Sequence, residues 1–91
     1  MDNSKRIEQI KQRLTDGLNA ENVDVVDESH LHAGHAGAKT GMGHFNVTVI
    51  ADAFAGKSLI ERHRQVYTAL GDMMQTDIHA LGIKAYTPEE L

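Results

Sequence analysis

HFNVTVIADAFAGKSLIERHRQVY, residues 44–67, is the stretch on which the fold turns. Its first half alternates. Phe45, Val47, Val49 and Ala51 fall on one side, and His44, Asn46, Thr48 and Ile50 on the other, which is the period of a half-buried strand. The apolar set suits the buried face. Residues 53–57 turn the chain at Gly56, and the period then changes. Ser58-Leu59-Ile60-Glu61 spells a capping box, in which a serine caps the helix and a glutamate three residues later reaches back to it. Leu59, His63, Val66, Leu70 and Met73 or Met74 follow at helical spacing, with Tyr67 beside them. A strand over 44–52 and a helix over 58–74 are predicted, with Gly71 breaking or bending the helix near its end.

Working outward, residues 4–18 read as a first helix with Ile7, Ile10, Leu14 and Leu18 on one stripe. Asn3 or Ser4 can cap its start, and Asp16-Gly17 with Asn19 mark where it frays or stops. Residues 22–28 form a strand around Val23, Val25 and Val26. Residues 29–43 are a glycine-rich loop carrying His30, His32 and His35, long enough to suggest function or disorder. Residues 78–85 are a third strand, and Thr87-Pro88-Glu89-Glu90 a last helical turn with Pro88 at its first position. The order is α-β-β-α-β. The first two strands can pair antiparallel across the loop, and the third returns through a helix as a right-handed parallel crossover. A single α/β (α+β) domain over 1–91 is predicted, one three-stranded sheet with its helices on one face.

Bulk composition narrows the function. Ninety-one residues make one core. The net charge of −4 argues against strong non-specific DNA binding, which needs a basic footprint. Six histidines make that charge sensitive to mild acid: six added protons on −4 give +2. With no cysteine, the chain can form no disulfide and no thiolate metal site of its own. The first residues hold no apolar signal core, and no run approaches bilayer length, so a soluble cytoplasmic protein is expected.

Several constellations could carry chemistry. Gly56-Lys57-Ser58 ends like a phosphate-binding loop, but the motif's first glycine would fall at Ala51, and the loop is too short to wrap a phosphate. A tight turn into a capped helix is the better account. No G-x-x-G clamp of nucleic-acid-binding KH domains is present. In Arg62-His63-Arg64, the histidine shares the stripe of Val66 and Leu70 and reads as structural, hydrogen-bonded beneath its helix. Arg62 and Arg64 can be snorkelling side chains, or with Lys57 a basic rim for an acidic partner, glutathione or DNA phosphate. His79 stands near a strand start beside a loop, where ligands are commonly presented; a half-buried strand histidine is the competing account. Imidazoles suit iron, zinc, copper and nickel, so His30, His32 and His35 could bind metal weakly without a fold. No nucleophile–base–acid arrangement is legible, and an enzyme is not expected.

The ordered series His44-Phe45, Phe54-x-Gly56-x-Ser58, Arg62-His63-Arg64, Ile78-His79-Ala80-Leu81 and Thr87-Pro88-Glu89-Glu90 resembles the BolA family. The likeness covers most of the chain, from about Asp27 to Glu90. It implies a fold related to class II KH domains. It also implies an iron–sulfur trafficking or regulatory role in which the protein shares a [2Fe–2S] cluster with a monothiol glutaredoxin and its glutathione. On this resemblance His79 is one cluster ligand, and the second lies in the loop, best at His32, with His30 and His35 as alternatives. The partner would supply the thiolates this chain lacks. No cofactor would be tightly bound to the isolated chain, which would be a monomer or weak homodimer. The resemblance also leaves open a DNA-binding transcriptional regulator affecting stress response and cell morphology, with Lys57, Arg62 and Arg64 at its contact surface. A metal chaperone using the histidine loop alone is a third possibility.

Overall fold

A computed structural model of the chain describes residues 3–28 and 43–91. Helix α1 (Ser4–Leu18) leads into β1 (Asn22–Asp27). Then come β2 (Gly43–Ile50), a 3₁₀ turn (Asp52–Phe54), α2 (Leu59–Leu70), a single-turn α3 (Met73–Thr76), β3 (Ile78–Tyr86) and a closing 3₁₀ turn (Pro88–Glu90). The sheet runs β1-β2-β3. The central strand pairs antiparallel with β1, Val25 facing Val47, and parallel with β3, Val47 facing Ile83. This is the predicted α-β-β-α-β architecture.

One face of the sheet is sealed by the helices. Phe45, Val47, Val49 and Ala51 are buried there against Ile10, Leu14 and Leu18 of α1 and Val66 and Leu70 of α2. The alternation read from the sequence therefore holds, because a strand can offer only every second residue to one face. The opposite face is open: Val26 is 53% exposed and Asn46 exposed beside it.

Where the helices meet, the backbones come close. A Cβ on Gly17 would lie 2.8 Å from the Cβ of Ala69. Gly17 thus serves as a contact point inside α1 rather than as its stop. The helix ends two residues later, where Asn19 adopts the left-handed conformation (φ 50°). Arg13 locks the same junction: its guanidinium donates to the Leu70 carbonyl (2.6 Å), one of the carbonyls left over at the end of α2, and to Asp72 (3.0 Å).

Two local expectations change, and the expected break at Gly71 is found. Asn3 stands at the N-cap of α1, yet its side chain donates to Asp27 (3.0 Å) instead of capping the helix. The second helix is broken at Gly71, whose φ of 59° suits a residue without a Cβ, so residues 58–74 become α2 and the separate α3. Leu59, placed on the apolar stripe, is 66% exposed, as is Ile60. The helices touch at Gly17 and Ala69, near the far end of α2, and its first turn lies off that packed region.

Candidate functional site

The site is set by an irregularity in β3. Gly43 pairs with Ile78 but His44 pairs with Ala80, which leaves His79 unmatched as a bulge. Regular alternation would put His79 on the face opposite Ile78 and Ala80 alike. The extra residue instead takes Ala80 off the face of Ile78 and pairs it with His44, so that His79 and Ala80 both lie on the side of His44. The two imidazoles come together, their ring centroids 5.0 Å apart and their planes tilted by 52°. His44 is 8% exposed, whereas His79 is exposed.

A polar pin fixes this end of the sheet. The Asp77 carbonyl accepts from the Gly43 N–H (2.9 Å), and the His44 carbonyl accepts from the Glu28 N–H (2.8 Å). The Asp77 carboxylate accepts from the Thr76 hydroxyl (2.6 Å) and from Arg6 Nε (3.0 Å). These two donors, the hydroxyl foremost, hold its carboxyl below the usual carboxylate range. Arg6 also donates to Asn3, which reaches Asp27 at the end of β1. The pin therefore ties the start of α1 to the end of β1 and to the residue before β3, the strand that carries His79. Sequence reasoning missed Arg6 and Asp77, since an arginine on a polar helix face carries no mark of a partner 71 residues away.

On the open face, Asn46 donates from Nδ2 to the Glu28 carboxylate. The amide lies across β3 because residue 82 is glycine: a Cβ there would sit 1.8 Å from Asn46 Oδ1. Glu28, His44, Asn46, Ala80 and Gly82 are among the residues lining a recess of about 210 Å³ beside the histidine pair.

The other predicted residues lie elsewhere. Arg62 is engaged within the fold. Its Nη1 and Nη2 grip the Glu90 carboxylate (2.7 and 2.9 Å), Nη1 also reaches the Ala85 carbonyl (3.0 Å), and Nε the Lys57 carbonyl (3.1 Å). Its side chain is 13% exposed and passes over the Phe54 ring. Arg62, first, and the Thr87 N–H, second, hold the Glu90 carboxyl down to about 2. Of the expected basic rim, Lys57 and Arg64 are the exposed members. Ser58 accepts from the Glu61 N–H (3.2 Å) while Glu61 accepts from the Ser58 N–H (2.9 Å), so the serine that mimicked a phosphate loop is the helix cap. His63 is half-buried on α2, and its enclosed Nε2 has no hydrogen-bond partner among the described residues. The hydrogen bond expected of it is thus not made through that nitrogen. His30, His32 and His35 lie outside the described residues.

Comparison with known proteins fits this geometry. The family model of BolA-like proteins matches residues 14–90. The chain is 41% identical over 87 residues to SufE-like protein 1, chloroplastic/mitochondrial, of Arabidopsis thaliana, which covers 90% of this chain and 24% of that protein. It is 35% identical over 83 residues to the DNA-binding transcriptional regulator BolA of Escherichia coli, covering 91% of this chain and 76% of the relative. The solved BolA domain of SufE1 from Arabidopsis thaliana superposes with a TM-score of 0.84 at 40% identity, covering 97% of this chain and 98% of that one.

The fold and the site define a small α+β protein with a histidine pair at the parallel edge of its sheet. The chain belongs to the BolA family. It spans only about a quarter of the length of the SufE-like relative. These relatives' names describe a regulator and a SufE-like protein rather than assigning an enzymatic activity to the matched region. No helix among the described residues is long and apolar enough to cross a membrane. The organellar label on the plant relative leaves the expected cytoplasmic location unsupported by kinship.

Proposed function

We propose that this protein is an iron–sulfur trafficking or regulatory partner that shares a [2Fe–2S] cluster with a monothiol glutaredoxin and its glutathione. The observation that carries the reading is the exposed imidazole of His79, presented on a bulge at a pinned end of the sheet. An imidazole there can be reached by a second protein, and imidazole suits iron. The chain holds no cysteine, so any thiolates must come from the partner. His32 is the second ligand on this reading, with His30 and His35 as alternatives. The chain alone is a monomer or weak homodimer, and the cytoplasm is its compartment.

The test mixes the protein with cluster-loaded monothiol glutaredoxin and records visible absorption and circular dichroism. His79→Ala should abolish or destabilise the shared cluster with the fold intact. His32→Ala should do so more mildly, since neighbouring histidines can substitute. His63→Ala should instead lower thermal stability, because it removes a half-buried ring from the packed helix. A His79→Ala protein with the wild-type spectrum and cluster lifetime would overturn the assignment.

A DNA-binding regulator is the second reading, favoured by the printed name of the Escherichia coli relative. Lys57 and Arg64 would make its phosphate contacts. Against it stand the charge of −4 and the engagement of Arg62 by Glu90. Tight, sequence-specific binding at physiological salt, lost on Arg64→Ala without unfolding, would place this reading first.

A further inference from the structure

The face of the sheet turned away from the helices is open, and its cross-strand rows have an order of their own. One row runs Asp24, Thr48, Lys84 from β1 through β2 to β3, and the next runs Val26, Asn46, Gly82. The first has an acid at its β1 end and a base at its β3 end, both exposed. In the second, Val26 stands 53% exposed at the β1 end. At the β3 end Gly82 has no side chain and only the flat Asn46 amide lies over it. Val26, Gly82 and Lys84 are among the residues lining a recess of about 430 Å³ here. Each of these rows carries a feature at one end and its complement at the other. We propose that this face is the contact surface of a homodimer, a second copy of the chain packing on it face to face about a two-fold axis that runs along β2.

Half a turn about that axis keeps each row at its own height and exchanges its ends, as an isologous contact requires. Asp24 comes over the second copy's Lys84, and Lys84 over the second copy's Asp24. Val26 comes over the second copy's Gly82 and fills the low end of that row. Residues of β2 meet their own copies, and Thr48 and Ile50 there are uncharged. Within one copy Asp24 and Lys84 stand two strand spacings apart, about 9–10 Å. Neither forms an ion pair among the described residues, so both charges are left for a partner. Twist does not spoil the fit: a uniformly twisted sheet keeps its saddle shape after half a turn about its central strand, and aligned sheets pack in this way. A two-fold running across the strands would instead lay Asp24 and Glu28 of β1 against the same acids of the second copy, and like charges repel. The surface is small. Three strands ~4.8 Å apart and seven residues at ~3.3 Å cover roughly 14 by 23 Å on each copy. That area belongs to weak, reversible contacts and not to permanent dimers.

The test needs neither iron nor glutaredoxin, so its outcome is separate from the cluster reading; it concerns the surface of the weak homodimer named there. The full chain is followed by sedimentation equilibrium and NMR over a dilution series up to ~1 mM. The apparent mass should approach that of a dimer and no higher, and the amides of Val26, Thr48 and Lys84 should shift together with concentration. Asp24→Lys and Lys84→Asp should each weaken self-association roughly ten-fold or more, because two attractive pairs become two repulsive ones. Mixed one to one, the two variants should associate as the wild type does, since both lysines of one chain then face both aspartates of the other. Val26→Asp, on an exposed residue, should leave the chain folded and weaken the dimer as well. A monomer throughout the series, shifts confined to another face, undiminished association of Asp24→Lys, or a mixture that associates no better than its parts would each overturn the proposal.

Discussion

Gly17→Ala should destabilise the protein although alanine is the better helix former. The added Cβ would stand 2.8 Å from the Ala69 Cβ and 3.4 Å from its Cα. Two carbons prefer ~3.5–4.0 Å, so the contact is short by about an ångström. Ala69 Cβ is fixed to its backbone and cannot rotate away; the two helices must part instead. Overpacking of this kind costs about 1–3 kcal/mol. Against it stands a helix-propensity gain of at most ~1 kcal/mol for glycine to alanine, and less here because Gly17 is one residue from the helix end. The clash wins by about 1–2 kcal/mol, which at ~4–8 °C per kcal/mol lowers the melting temperature by about 4–16 °C. Thermal unfolding of Gly17→Ala, Ala69→Gly and the double variant forms a cycle. The double variant should be more stable than the sum of the two singles predicts, by at least ~0.5 kcal/mol, because glycine at 69 makes room for alanine at 17. Additive effects, or a Gly17→Ala protein more stable than the wild type, would show that the helices do not meet at this point.

Val47 is 1% exposed, and Val47→Asp should abolish cooperative unfolding, since an unpaired buried charge costs several kcal/mol out of a total of ~5–15; an unchanged melting temperature would refute the face assignment. Gly82→Ala makes a shorter clash, 1.8 Å, but with the swinging end of Asn46. The lost hydrogen bond, ~0.5–1.5 kcal/mol, is nearly offset by the ~0.5–1 kcal/mol gained on replacing a strand glycine, so melting should barely move while the Asn46 amide resonances shift; a large drop in melting temperature would mean that Asn46 is not free to swing. The Arg62–Glu90 contact should respond to acid with a definite sign. Glu90 is depressed from 4.5 to about 2 when folded, so its contribution is present above pH 4.5 and is lost as pH falls from there toward 2. The melting-temperature gap between wild type and Glu90→Gln should be open at pH 7 and close across that window, and a gap that stays constant would rule out the ion pair as its source.

The elements were legible where one face of each decides its contacts. The Phe45–Ala51 alternation marks a strand with a single buried side, and the Ser58–Glu61 box marks a helix start by local hydrogen bonding alone. Both signals act within a few residues, and tertiary structure leaves them unchanged. Leu59 was misread, and the contact made by Gly17 was missed, for the converse reason. A glycine near a helix end has the same local signature whether it stops the helix or admits a neighbouring Ala69. Leu59 lies on the correct stripe of α2, but a stripe states direction and not how far along the helix the partner extends. That extent is fixed by a crossing point between residues 52 apart in the chain, which no window of sequence contains.

The site was legible in its chemistry and hidden in its assembly. His79 stood out as an imidazole at a strand start, but strict period-2 reasoning from the core residue Ile78 assigns Ala80 and His44 to opposite faces. Only the unmatched residue brings Ala80 to the side of His44 and His79, and a bulge has no mark in Ile78-His79-Ala80-Leu81 itself. The same limit explains Arg62. Its spacing on the helix is that of a rim residue, and its engagement depends on Glu90, held by its own N–H bond from Thr87 in a turn at the far end of the chain. An arginine gripping a carboxylate through two parallel bonds has few donors left for a phosphate. Loss of Arg62 should therefore loosen the closing turn against α2, and any effect on a nucleic acid or protein partner should follow that loosening. Arg64→Ala, on an exposed residue, separates a partner contact from a structural one, because it alters surface charge without touching the Glu90 contact.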